Sequence, residues 1–212
     1  MLRVNEIFHS IQGESTWAGA PCVFVRLTGC NLRCRWCDSA FAFYEGTDRT
    51  VEEVVREVDR FGCGLVEVTG GEPLLQADVH ELLGRLVDRG FRVLLETSGS
   101  LPIEGVPDGV ARIVDVKCPA SGEVDRNRWE NLDRLRAGDE LKFVIADRAD
   151  YLWAREQVAQ RSLTRRCPVL FSAVHDVLDP ASLAAWILED RLDVRIQIQV
   201  HKVLWPGILR GV

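Results

Sequence analysis

Short apolar runs alternate along the chain with segments whose apolar residues return every three or four positions. Arg3 to Phe8 and Cys22 to Leu27 are rich in Val, Ile and Phe and read as strands. Thr50 to Phe61 reads as a helix. Thr50 and Glu53 form a capping box, Val51, Val54, Val55 and Val58 make one apolar stripe, and Gly62 ends it. Leu65 to Thr69 is the next strand, broken by Gly70-Gly71-Glu72-Pro73. Asp78 opens a helix with Val79, Leu82, Leu83, Leu86 and Val87 on one face and Gly90 after its end. Further strands are predicted at Arg92 to Glu96, Arg112 to Lys117, Leu141 to Ile145, Val169 to Ser172 and Val194 to Val200. Further helices are predicted at Arg126 to Arg136, Ala149 to Arg161 and Pro180 to Asp190. Pro102 and Pro107 leave no room for a full helix between residues 101 and 109, so one crossover lacks its helix.

Strand followed by helix, repeated, implies parallel pairing through right-handed crossovers. The units are too few for a closed eight-stranded barrel. The expected fold is α/β, an incomplete TIM-like barrel of about six parallel strands with a reduced helix complement. No linker or low-complexity stretch divides the chain, so residues 1–212 read as a single domain. In such folds the chemistry gathers in the loops that follow the strands.

Composition narrows the setting. A hydrophobic content of 47% over 212 residues is ample for a core. No apolar run approaches the roughly 18 residues needed to cross a bilayer, and the first residues carry no signal-peptide pattern. A cytoplasmic location is expected, where thiols stay reduced. The seven cysteines then read as three ligands and four ordinary thiols rather than as disulfides. A net charge of −6 gives no general affinity for nucleic acid or for an acidic membrane.

The three ligand candidates are Cys30, Cys34 and Cys37, spaced C-x3-C-x2-C. Three thiolates this close can converge on one face of a four-iron cluster, leaving one iron open to the nitrogen and oxygen atoms of a small molecule. They could also hold zinc with a distant fourth ligand, or be buried thiols, although Arg33, Arg35 and Asp38 beside them argue against a core role.

Other polar or glycine motifs fall at predicted strand ends: Thr69 to Pro73, Glu96 to Gly99, Asp115 to Lys117, Phe171 to His175 and Gln199 to Lys202. Such a ring suits a large site for a cofactor and a second substrate, which a zinc knuckle does not need. After the first strand, Gln12 and Glu14 are either part of a solvated loop or able to grip a polar heterocycle through amide and carboxylate edges. Arg26 lies inside an apolar strand and needs a partner, either a structural carboxylate or that of a substrate. Cys118 reads as a bystander thiol, and His80 and His175 as surface or packing residues.

Together Phe8 to Ser15, Arg26 to Phe41, Thr69 to Pro73, Glu96 to Gly99, Asp115 to Gly122 and Gln199 to Lys202 resemble the 7-carboxy-7-deazaguanine synthase family of radical S-adenosylmethionine enzymes, lyases of queuosine and 7-deazapurine biosynthesis. The resemblance implies that Cys30, Cys34 and Cys37 hold a 4Fe-4S cluster whose open iron takes S-adenosylmethionine. It implies that Trp36, Cys37, Asp38, Gly71, Asp115, Val116, Lys117, Phe171 and Ser172 line the S-adenosylmethionine site. Ile11, Gln12, Gly13, Arg26, Thr69 and His201 would contact the substrate, and Ser39 stands where the family has a hydroxyl ligand to Mg²⁺. The implied reaction converts 6-carboxy-5,6,7,8-tetrahydropterin to 7-carboxy-7-deazaguanine. A 5′-deoxyadenosyl radical takes a hydrogen from C6, the ring contracts, the hydrogen returns and ammonia leaves. A homodimer and a flavodoxin or ferredoxin reductant are implied as well. The alternatives are an activase that makes a glycyl radical on a partner protein, and a zinc-binding interaction module.

Overall fold

A computed structural model describes all residues from Met1 to Val212. The chain opens with a hairpin, not with a strand–helix–strand unit. β1 (Leu2–Ile11) and β2 (Pro21–Leu27) pair antiparallel. The loop between them, residues 12–20, is too short to carry a parallel crossover. β3 (Thr47–Arg49), not anticipated from the sequence, pairs antiparallel with the outer side of β1. From β2 onward the expected alternation holds. β4 (Leu65–Gly70), β5 (Arg92–Thr97), β6 (Val110–Val116), β7 (Glu140–Ile145), β8 (Val169–Ala173) and β9 (Arg195–Gln197) follow in parallel, each beside the last. The sheet order is β3-β1-β2-β4-β5-β6-β7-β8-β9, and no pairing joins its two edges. It is therefore an open, partial barrel.

Four helices cover the outer face: α1 (Val51–Arg60), α2 (Val79–Asp88), α3 (Arg148–Gln160) and α4 (Pro180–Glu189). α1 starts as read, with the reciprocal Thr50–Glu53 box in place and all four predicted valines buried. Asp78 precedes α2 but makes no capping bond; its carboxylate takes the N-terminal ammonium of Met1 instead. As expected, β5 and β6 are joined without a helix.

Two predicted elements differ. Arg126 to Arg136 forms 3-10 turns at Val124–Arg126 and Trp129–Arg134, not an α-helix. Side chains pin this segment down. Asn127 accepts from the Lys117 backbone N–H at 2.8 Å and donates to its carbonyl at 2.9 Å, while Asn131 donates to the carbonyls of Gly99 and Leu101. The last strand is also shorter than Val194 to Val200. After Gln197 the chain turns into α5 (Val200–Leu204), because the Val200 N–H donates to the Gly13 carbonyl at 2.9 Å. His201 thus sits on a short helix rather than behind a strand.

Between the outer face of the sheet and the helices lies the main apolar core. The inner face has a different structure, in layers two residues apart. Phe8, Cys22, Phe24, Leu65, Leu94 and Ile113 form a separate apolar floor. Two residues further along their strands, Arg26, Glu67, Glu96 and Asp115 stand above that floor and line a cavity, joined by Lys142 from β7.

One polar pair lies at the foot of the outer face. Arg112, fully buried, is held by Asp139 through its Nε and its backbone N–H. Removing one partner strands a buried charge. Asp139→Ala should lower the unfolding free energy in urea by about 3–5 kcal/mol; a loss below about 1 kcal/mol, the range of an exposed pair, would show that the pair is not closed in solution.

Candidate active site

The cavity of about 300 Å³ lies at the C-terminal ends of the parallel strands and is bounded on one side by the cysteine loop. Cys30, Cys34 and Cys37 are free, half-buried and all line it. The loop is docked onto its neighbours by backbone and polar bonds. The Arg35 N–H donates to the Ser121 carbonyl at 3.1 Å, the Arg33 N–H to Glu123 at 2.6 Å, and Asn31 to Ser100 at 3.0 Å. The Glu72 N–H donates to the Gly29 carbonyl at 2.8 Å. Gly71 packs so closely here that a Cβ would collide with the Gly29 carbonyl and lie 2.8 Å from the Cys30 Cβ. Glu72, fully buried, then welds this turn to the loop after β5. It accepts from Thr97 Oγ1 at 2.9 Å, from the Ser98 N–H at 2.7 Å and from the Ser98 hydroxyl.

Burial pushes the Cys30 and Cys34 thiols up, while the Lys117 ammonium pulls Cys34 back toward the thiolate. A metal centre displaces such protons on binding. No three His, Cys, Asp or Glu side chains are gathered into a single-ion geometry. Three thiols on one loop facing a cavity match the donor set of a cluster with one open iron. The Asp115 Oδ1 atom is buried without a hydrogen-bond donor at the same cavity, so a donor group on a bound molecule would satisfy it.

The polar layer carries the electrostatics. Lys142 Nζ lies 2.7 Å from Glu14 Oε2 and 3.3 Å from Asp115 Oδ1, and is bonded to Glu96. Asp115 also accepts from Lys117 Nζ at 2.7 Å. Burial would raise the Asp115 carboxyl, but Lys117 and Lys142 outweigh it and hold it below its ordinary value. Glu14 is likewise held low by Lys142 against its burial. Glu67 lacks a cation contact. Burial, then the nearby Glu96, push it well above the usual carboxylate range, and burial raises Glu96 too, against the pull of Lys142.

Nearly every predicted site residue meets at this cavity. Trp36, Asp38, Ser39 and Gly71 line it beside the cysteines, and Asp115, Val116, Lys117 and Ser172 line it from β6 and β8. Asp38 is paired with Lys202 at 3.0 Å. Ile11, Gln12, Gly13, Arg26, Thr69 and His201 line its other side. Gly13 has to be glycine, because a Cβ there would strike the His201 ring. Burial lowers the His201 imidazole and so favours its neutral form, although Glu14 and Asp38 oppose this.

The structure refines several of these expectations and corrects one. Phe171 does not face the cavity; strand alternation turns it into the core against Phe143 and Tyr151, and only its neighbour Ser172 points inward. Gln12 is largely committed to the protein, since its amide donates to Glu67 and accepts from the Glu14 N–H at 2.8 Å. Cys118 and His175 line the cavity as well, His175 from its exposed rim, in keeping with its reading as a surface residue. The partner of Arg26 within the chain is Glu6, directly across the hairpin, accepting from Nε at 2.8 Å. No other hydrogen bond engages the Arg26 guanidinium, and Arg26 lines the cavity. Sequence reasoning missed Glu67 and Lys142. The signal was there: each is a lone charge inside an apolar strand.

The Radical SAM superfamily model matches residues 24–119, the stretch from β2 through the cysteine loop to Pro119. A curated 7-carboxy-7-deazaguanine synthase from Koribacter versatilis is 49% identical over 226 residues, covering 100% of both chains. The chain belongs to the 7-carboxy-7-deazaguanine synthase family. A second member, from Chlorobaculum tepidum, is 46% identical and is covered over 97% of its length. The crystal structure of QueE from Escherichia coli superposes with a TM-score of 0.77 at 23% identity, covering 94% of each chain, a likeness of fold. Neither the activase nor the zinc-module reading is favoured by these matches.

Gly71→Ala tests the tight packing behind the cysteine loop. The new methyl should push the loop outward, and anaerobically reconstituted protein should retain well under half the iron and sulfide of the parent. Unchanged iron content would mean that the turn and the loop move independently.

Proposed function

We propose that the chain is a 7-carboxy-7-deazaguanine synthase, acting on 6-carboxy-5,6,7,8-tetrahydropterin with loss of ammonia. The observation that carries the reading is one cavity shared by Cys30, Cys34, Cys37 and the Arg26 guanidinium, in a chain 49% identical along its whole length to a curated enzyme of that name. When bound, the 4Fe-4S cluster and S-adenosylmethionine supply the radical that abstracts hydrogen.

The chain's own residues bind, orient and shield. Cys30, Cys34 and Cys37 are the cluster ligands. Trp36, Asp38, Gly71, Asp115, Val116, Lys117 and Ser172 surround S-adenosylmethionine, with the buried Asp115 oxygen as acceptor for one of its donor groups. Arg26 takes the pterin carboxylate on its two Nη groups while Glu6 fixes its Nε. Ile11, Gly13, Thr69 and His201 pack around the heterocycle, and Gln12 acts mainly by holding Glu67 and Glu14 in place. Glu67, pushed toward its neutral acid by burial, would donate to a ring acceptor in this reading. Ser39 is the Mg²⁺ ligand in this reading, its hydroxyl lying 3.8 Å from the Cys37 sulfur at the cavity wall. One ligand oxygen is enough for an ion that keeps several waters and takes the rest from substrate.

The same reading makes residues 1–212 one domain of a cytoplasmic homodimer reduced by a flavodoxin or ferredoxin. No helix is long and apolar enough to cross a membrane. Exposed Ile196, Ile198 and Leu188 offer apolar surface for self-association near the β9 edge.

The test is an anaerobic assay with reconstituted protein, dithionite, S-adenosylmethionine, Mg²⁺ and 6-carboxytetrahydropterin, read by mass spectrometry. The appearance of 7-carboxy-7-deazaguanine is expected. Formation of 5′-deoxyadenosine and methionine alone would remove this substrate. Within the same assay, Arg26→Ala should keep its cluster and its S-adenosylmethionine cleavage but raise the pterin KM by about 10–100-fold, the worth of a charge-assisted pair. An unchanged KM would take Arg26 out of the substrate site.

A further inference from the structure

Lys142 has no place in the roles assigned above, yet it is a nearly fully enclosed charge at the cavity. Its side chain is 5% exposed. Its ammonium touches carboxylates from three other parts of the chain: Glu14 on the β1–β2 loop, Glu96 on β5 and Asp115 on β6. Asp115 lies directly opposite Lys142 in the sheet register. Glu14 is further held by Gln197 at 3.1 Å and Gln199 at 2.7 Å, and Glu96 accepts from the Thr69 hydroxyl at 3.1 Å.

These three carboxylates meet at one ammonium but keep different further company. Asp115 stands with Lys117 beside the cysteine loop, where Lys117 acts on Cys34. Glu96 stands with Thr69 and Glu14 with Gln12, and Gln199 also joins Glu14 at 2.7 Å to Asp38 of the cysteine loop at 3.2 Å. One ammonium reaches both groups: it donates to Glu14 and Glu96 and lies 3.3 Å from Asp115 Oδ1 as an ion pair. Without it, three buried carboxylates would face one another, and like charges this close cannot all stay ionised, so the bonds they make would change. Burial favours the neutral amine, but Asp115, Glu14 and Glu96 more than compensate and keep Lys142 charged.

We propose that Lys142 is a positioning residue that ties the S-adenosylmethionine end of the cavity to the substrate end, holding Asp115 in register with Glu14 and Glu96. The inference rests on the functional reading above. Its consequence is alignment. Hydrogen abstraction needs the two bound molecules in fixed register, and a shift of about 1 Å costs on the order of 100-fold in rate. The two binding events are also linked through one ammonium, and such linkage is reciprocal.

The test uses cluster-loaded parent protein, Lys142→Met and Lys142→Arg. Calorimetry measures the affinity for 6-carboxytetrahydropterin with and without S-adenosylmethionine. Product and released 5′-deoxyadenosine are then counted in the same reaction. In the parent, S-adenosylmethionine should tighten pterin binding by about fivefold or more, the lower range of site-to-site coupling. Lys142→Met should keep its iron content, lose that linkage, drop in kcat by about 100-fold and release more 5′-deoxyadenosine per product. Lys142→Arg restores the charge but not the three-way geometry. It should recover most of the pterin affinity while the kcat and the release ratio stay impaired, a split that a purely structural role would not give. Parent-like linkage and release ratio in either folded variant would overturn the proposal. Should Lys142→Met not fold, Lys142→Arg decides alone. A parent protein that forms no 7-carboxy-7-deazaguanine would instead bring down the functional reading, so the two failures are distinguishable.

Discussion

The inner face of the sheet must bury charge and keep it neutralised, and the rest of the site depends on that constraint. A strand presents alternate residues to one face, so a step of two residues along β2, β4, β5 and β6 moves from the apolar floor at Phe24, Leu65, Leu94 and Ile113 to Arg26, Glu67, Glu96 and Asp115. Four strands change character at the same height. The floor seals the cavity from below, and the layer above it gives the cavity its polarity. Arg26 answers Glu6, Lys117 answers Asp115, and Lys142 answers three acids. Glu67 has no cation in contact, and burial pushes its carboxyl well above the usual range, toward the neutral acid. Low dielectric makes each of these contacts stronger than at the surface, and makes any unmatched group costly.

The loops above the strands are held by a second device. Glycine at position 71 lets one backbone lie directly against another, and the carboxylate of Glu72 gathers the donors of Thr97 and Ser98 behind it. The cysteine loop therefore rests on the loops after β4, β5 and β6, not on a core of its own. This is how a ten-residue run with little apolar content holds three thiols toward one cavity. It also explains why the motifs that stand as separate signals in the chain converge in space: they are the consecutive strand ends of one parallel sheet.

Local chemistry makes much of this legible in the amino-acid sequence. The valine stripe and capping box of α1, the helix-less crossover between β5 and β6, and the run of motifs at strand ends all follow from it. The failures have physical causes. The alternation rule presumes a crossover, and the short loop after Ile11 makes a hairpin. Asn127 and Asn131 bond to distant carbonyls, which no helical pattern reveals. Val200 turns into α5 because of a bond to Gly13, far away in sequence. Phe171 and Ser172 are neighbours, and only the face assignment separates a core residue from a lining one. Lys142 escapes notice because a lone lysine in Leu141 to Ile145 has meaning only when Asp115 is set opposite it.

The central claim is that Cys30, Cys34 and Cys37 hold a cluster with an open iron facing a cavity built for a second ligand. Low-temperature electron paramagnetic resonance of the reduced, anaerobically loaded protein, before and after addition of S-adenosylmethionine, tests it most directly. The account predicts about four irons per chain, bound through these three cysteines, and a spectrum that changes when S-adenosylmethionine is added. Tightly bound zinc without iron, or a cluster spectrum indifferent to S-adenosylmethionine, would contradict it.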